Sequence, residues 1–137
     1  MIKTDKSYSI LIVDDEPLIR KSLYEILKID GFDAHAVSSG EEAVNFIQHK
    51  KVDIVITDLN LPKMSGLDLL SVIKKSSPET QVILITGYGS IETAVEAMKK
   101  GAFDYVTKPI IDDEIKILIE KILEKKRLLE ENQNLRQ

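Results

Sequence analysis

Cysteine is absent from the 137 residues, which excludes disulfides, thiolate zinc centres and a cysteine nucleophile. Its absence is compatible with a reducing cytoplasm. Glycine and proline are scarce, at six and four residues, and with 43% hydrophobic and 31% charged side chains the composition is neither fibrous nor disordered. Long apolar runs are missing too: none approaches the ~20 residues that cross a bilayer, and the opening Met1-Ile2-Lys3-Thr4-Asp5-Lys6 lacks the apolar centre of a secretion signal. Nor is there an excess of positive charge. With 19 basic and 23 acidic side chains the net charge is −4, which argues against nonspecific binding of nucleic acid by this segment. The expectation is a cytoplasmic domain that binds neither membrane nor nucleic acid directly, and its length suits one domain with a core large enough to need no metal or disulfide staple.

Five short β-rich runs punctuate the chain: Ile10–Val13, Asp33–Val37, Asp53–Thr57, Gln81–Ile85 and Asp104–Val106. The first, third and fourth are almost wholly apolar, as in parallel strands covered on both faces, whereas the second and fifth are weaker and read as edges. Helical stripes lie between them. Leu18, Leu23, Ile26 and Leu27 follow Pro17 and stop at Gly31; Ala43, Val44 and Ile47 follow Ser39, an N-cap with Glu42 three residues on; Leu67, Leu70, Val72 and Ile73 run from Gly66 toward Pro78; Ile91, Ala94, Val95 and Met98 follow Ser90, an N-cap, and end at Gly101. This strand–helix alternation predicts an α/β fold: a flavodoxin-like, doubly wound five-stranded parallel sheet in the order 2-1-3-4-5.

The segment from Asp112 to Gln137 contains no glycine or proline, and half of its residues are charged. Ile115, Leu118, Ile119 and Ile122 suit a helix lying on the sheet. Further on, Lys125 and Asn132 at a positions with Leu128 and Leu135 at d positions form either a short coiled-coil register or an exposed helix. The expected organisation is a lead-in over residues 1–8, a domain over 9–122, and a helical extension over 123–137 that links to an output domain.

Ligands of such sheets bind beyond the carboxyl ends of the strands. The polar residues there are Asp14 and Asp15 after the first strand, Asp58 after the third, Thr86 after the fourth and Lys108 after the fifth. The first and third strands are neighbours, so three carboxylates converge. Their repulsion calls for a cation and for the Lys108 ammonium, and all-oxygen ligands favour Mg²⁺ or Mn²⁺. Taken singly, each residue has a plainer explanation. Asp14-Asp15-Glu16-Pro17 could cap the first helix, Asp58 could start an Asx turn, Thr86 could satisfy a strand end, and Lys108 could be a solvated cation. The coincidence at four strand ends favours a phosphoryl–metal site. His35 and His49 have no partners at ligand spacing and read as surface or edge residues.

In ILIVDDEP (10–17), DLNLPKMSGLDLL (58–70), LITGYGS (84–90) and FDYVTKP (103–109) the chain resembles the receiver domain of two-component response regulators. Within SIETAVEAMKKGAFDYVTKP it is most similar to receivers of enhancer-binding, NtrC-type transcription activators. The resemblance covers residues 9 to about 122. It implies that Asp58 takes a phosphoryl group from a sensor histidine kinase, with intrinsic self-phosphorylation and slow autodephosphorylation chemistry but no enzymatic role beyond that. Asp15 would bind Mg²⁺ directly and Asp14 through water, with Asp58 and the backbone carbonyl of Asn60 completing the ligands. Thr86 would hydrogen-bond the phosphoryl group and relay its presence to Tyr105, which alternatively packs on the last helix. A cis peptide is implied before Pro109, and Gly87 stands where many receivers carry alanine. The expected output is a change in homodimerisation through helix 4, strand 5 and helix 5 or through the terminal helix. It would control ATPase and DNA-binding domains further along a longer protein.

Two other classes, one with an Asp nucleophile and one with the same fold, fit less well. A haloacid-dehalogenase phosphatase needs a second acid two residues after its nucleophile, where this chain has Asn60. In a flavodoxin-like cofactor binder the loop after the first strand cradles phosphate, and here that loop is Asp14-Asp15-Glu16.

Overall fold

A computed structural model describes residues 8–87 and 91–135. Strands and helices alternate throughout: β1 (Ser9–Val13), α1 (Pro17–Ile29), β2 (Asp33–Val37), α2 (Gly40–His49), β3 (Ile54–Asp58), α3 (Gly66–Ser76), β4 (Gln81–Thr86), α4 (Ile91–Lys99), β5 (Asp104–Thr107) and α5 (Asp112–Leu135). The strands pair in parallel in the order β2-β1-β3-β4-β5, as the alternation of elements predicts. The predicted strand ends shift by about one residue, and β3, β4 and β5 now close on Asp58, Thr86 and Thr107.

Because successive strand residues face opposite sides, the apolar central strands supply two cores. Ile10, Ile12, Ile54, Ile56, Ile83 and Ile85 meet α1 and α5 on one face, whereas Leu11, Val13, Val55, Val82 and Leu84 meet α2, α3 and α4 on the other. Each of these side chains is fully buried, worth about 1.5–3 kcal/mol apiece. The edge strands β2 and β5 are only partly covered. The face of α1 uses Leu23 and Leu27; Leu18, expected in the same stripe, is 83% exposed. On α4 the buried positions are Ala94 and Ala97, and Val95 and Met98 face solvent.

The helix ends follow local chemistry. Ser39 Oγ accepts the Glu42 N–H, while the Glu42 carboxylate turns to the Ser38 N–H instead of completing a box. The reciprocal capping box is at α3, between Ser65 and Asp68. Gly101 ends the turn after α4 with φ +108, a conformation that favours glycine. The proposed N-cap Ser90 lies outside the described residues.

On α5, Ile115, Leu118, Ile119 and Ile122 lie on the sheet as expected, and Leu123 is buried with them. One turn on, Lys126 Nζ stands 3.6 Å from Asp53 Oδ1, and both side chains are largely covered. The other carboxylate oxygen of Asp53 accepts the Ser9 N–H at 2.9 Å. The helix is therefore tied to the amino-terminal edge of the sheet beyond residue 122. Leu128 and Leu129 are exposed. Among the described residues no helix is long and apolar enough to cross a membrane.

Candidate functional site

At the carboxyl end of the sheet, β1 and β3 lie side by side and β4 separates β3 from β5. Asp14 leaves β1 with its N–H still bonded to the Val37 carbonyl, at 3.2 Å. Asp58 is the last residue of β3, and the next N–H, of Leu59, bonds the Ile85 carbonyl. Beyond β5 the Lys108 N–H bonds the Thr86 carbonyl, and the Lys108–Pro109 peptide is cis. The side chains thus rise from sheet-anchored backbone instead of free loops.

Asp58 is 2% exposed. Its Oδ1 accepts the Asn60 N–H at 2.9 Å, so the Asx-turn geometry is present, and its Oδ2 meets the Lys108 ammonium at 3.0 Å. Lys108 also lies 3.0 Å from Glu16 Oε1. Burial works against the charged lysine, but the hydrogen bonds to Asp58 and Glu16 outweigh it and hold its pKa above the ordinary range.

Asp14 is fully buried. Its Oδ1 accepts the Glu16 N–H at 2.9 Å, and its Oδ2 has no hydrogen-bond partner. Burial is the main cause that raises its pKa to about 6; the Glu16 N–H opposes the rise, and the Asp58 charge adds to it. An orphaned buried carboxylate oxygen is costly unless something binds it. Oxygens of Asp14, Glu16 and Asp58 all lie within 4.8 Å of one another, and this all-oxygen set suits a hard divalent cation.

The sequence-derived residues are only partly gathered. Asp14, Asp58, Lys108 and the Asn60 backbone come together. Asp15 is exposed and is not among the three clustered acids; Glu16, treated in the sequence only as part of a helix cap, takes that place. Glu16 does occupy the N-cap of α1, yet its side chain makes no cap bond. That poor fit of a long glutamate to a cap position is the signal that could have singled it out. Thr86 is buried, and its hydroxyl donates to the Val106 carbonyl over a long 3.4 Å. Tyr105 is exposed beside Glu114, Ile117 and Leu118, on the α5 side. A Cβ on Gly87 would meet nothing within 4 Å, so crowding does not require glycine there. At Gly66 it does: a Cβ would sit 2.5 Å from the Asp58 carbonyl oxygen and 2.7 Å from Leu59 Cα. His35 pairs with Asp33 and His49 with the Asn45 carbonyl, both away from the site.

The family model described as the response regulator receiver domain matches residues 10–120. The chain belongs to the response regulator receiver family. Receivers of this family bind Mg²⁺ at an acidic site, and this chain gathers the acidic group Asp14, Glu16 and Asp58 at the carboxyl end of its sheet. The receiver is 37% identical over 128 residues to the regulatory protein AtoC of Escherichia coli K12, covering 93% of this chain and 28% of AtoC. It is 38% identical over 133 residues to the nitrogen assimilation regulatory protein NtrX of Azorhizobium caulinodans, covering 96% of this chain and 29% of that protein. The chain therefore spans less than a third of the length of either relative. Among solved structures, a response regulator receiver domain from Clostridium thermocellum matches with a TM-score of 0.85 at 39% identity, covering 89% of this chain and 98% of that one. NtrX from Brucella abortus in complex with ADP matches with 0.87 at 36% identity, covering 96% and 30%. The receiver is of the NtrC type, whose members are signalling proteins.

Proposed function

We propose that Asp58 is the phosphoacceptor of this receiver and that a sensor histidine kinase supplies the phosphoryl group. The observation that carries the reading is the Lys108 ammonium 3.0 Å from the Asp58 carboxylate, beside the unpartnered Asp14 oxygen. A carboxylate oxygen of Asp58 attacks phosphorus, and the bond from phosphorus to the donor's imidazole nitrogen breaks with its electron pair passing to that nitrogen. An acyl phosphate and a free histidine result. Such transfers demand positioning and charge neutralisation more than covalent help. Lys108 supplies one positive charge, and the Asn60 N–H fixes the rotamer of the carboxylate. Asp15, Asp58 and the Asn60 carbonyl, with Asp14 mainly through the water shell, would hold Mg²⁺ (or Mn²⁺), which would neutralise phosphoryl oxygens. The same chemistry accounts for self-phosphorylation by small donors and for slow autodephosphorylation.

The output reading is a population shift. A phosphoryl group adds about −1.5 to −2 charge, and Thr86 and Tyr105 are the residues through which its presence would be relayed. Moving an equilibrium from 1:99 to 99:1 takes about 5.5 kcal/mol of differential interaction. Val95, Met98, Tyr105 and Ile117 are exposed on α4, β5 and α5, and Leu128 and Leu129 on the terminal helix. These surfaces support phosphorylation-dependent homodimerisation through one face or the other. In the longer protein, residues 9–122 would be the receiver and the segment after 122 the link to ATPase and DNA-binding domains; the relative NtrX from Brucella abortus was crystallised with ATP and with ADP. The cytoplasm is the compartment this reading requires.

Intact mass after incubation with Mg²⁺ and a small phosphodonor tests the acceptor. A Mg²⁺-dependent phosphoryl adduct on the native chain and none on Asp58→Ala is the expected outcome. Persistent absence of adduct on the native chain would refute it in favour of an idle interaction module.

A further inference from the structure

An N-cap residue ordinarily turns a short side chain back onto the first N–H groups of its helix. Glu16 does not. Its carboxylate crosses to Lys108 at 3.0 Å, a partner 92 residues away, matching the distance at which the same ammonium meets Asp58. An ordinary solvated glutamate at a helix start would make neither this contact nor an approach within 4.8 Å of two other carboxylates. The Asp14 side chain in that group is fully buried and keeps one oxygen without a partner.

We propose that Glu16 is a positioning residue that sets the charge balance of the phosphoryl pocket, anchoring Lys108 and adding a further negative charge to the cation site. The inference rests on the reading of this site as a cation-dependent phosphoacceptor. Asp14, Asp15, Asp58 and Glu16 with the Lys108 ammonium leave the pocket at −3, which a divalent cation brings to −1. Without the Glu16 charge the pocket stands at −2 before the cation binds and at 0 after. Loss of that charge therefore weakens cation binding and favours an anionic phosphodonor, two effects of opposite sign from one substitution. A glutamate that merely starts a helix would produce neither.

The experiment compares the native chain with Glu16→Gln, which keeps the shape, and with Glu16→Asp, which keeps the charge. Calorimetric titration with Mg²⁺ alone is expected to show about tenfold weaker binding for Glu16→Gln, and recovery to near the native value for Glu16→Asp. At saturating Mg²⁺, the second-order rate of phosphorylation by acetyl phosphate is expected to rise about three- to tenfold in Glu16→Gln, and the gain should shrink as KCl is added. Unchanged Mg²⁺ affinity in Glu16→Gln overturns the proposal, as does Glu16→Asp behaving like Glu16→Gln. Failure of the native chain to form an adduct counts against the acceptor reading alone, because the Mg²⁺ titration still decides the role of Glu16.

Discussion

Asp14 offers a perturbation whose sign is unusual for a carboxylate. Its pKa is raised from 3.8 to about 6, chiefly by burial, so the folded chain binds this proton more tightly than the unfolded chain does. Native stability is therefore greatest where Asp14 is protonated. It falls as pH climbs from about 4 to 6 and stays reduced above that window. A shift of about two units corresponds to roughly 3 kcal/mol at pH 8, and about half of that at pH 5. In Asp14→Asn, Oδ1 still accepts the Glu16 N–H, and an amide replaces the orphaned oxygen beside Asp58. Urea unfolding in EDTA at pH 8 should show the variant more stable than the native chain by about 1–3 kcal/mol, with the gap smaller at pH 5. Saturating Mg²⁺ should close the gap by stabilising only the native chain, by about 2.7 kcal/mol at a hundredfold excess over Kd. A variant less stable than the native chain in EDTA at pH 8, or a gap that widens on acidification, would refute the reasoning.

Three other substitutions test the frame around the site. Gly66→Ala must push its Cβ against the Asp58 carbonyl and Leu59 Cα, so thermal unfolding should register a loss of about 2–4 kcal/mol and phosphoryl uptake should slow. Ser65→Ala removes the capping box of α3; a loss of about 1 kcal/mol in urea is expected with the site chemistry intact. Leu123→Ala should cost about 2–4 kcal/mol, whereas exposed Leu128→Ala should change monomer stability by less than about 0.5 kcal/mol; equal effects in denaturation curves would contradict the packing of α5.

The fold was legible because burial on both faces leaves unbroken apolar runs at Ile10–Val13 and Val82–Ile85, and because glycine and proline mark the breaks. Asp14, Asp58 and Lys108 were legible because the strand ends of a parallel sheet converge whatever their sequence distance. Glu16 was not, since its importance arises from a contact across 92 residues, and its one local sign, a long glutamate at the N-cap of α1, names no partner. Leu18 misled for the opposite reason: Ile19, four residues before Leu23, takes the inward place in the first turn of α1 and packs on the core, which turns Leu18 outward. The burial of Leu123 and the grip of Lys126 on Asp53 likewise depend on where the sheet ends, which helical periodicity does not encode.

That grip gives the molecule a defined handle. Asp53 and Asp58 bracket the same strand, so the acceptor and the point where α5 is clamped are joined by about 16 Å of hydrogen-bonded backbone. A helix held at its root transmits orientation as well as distance. Each residue spliced in after Lys126 swings a fused reporter about 100° around the axis and lifts it about 1.5 Å, while seven bring it nearly back into phase.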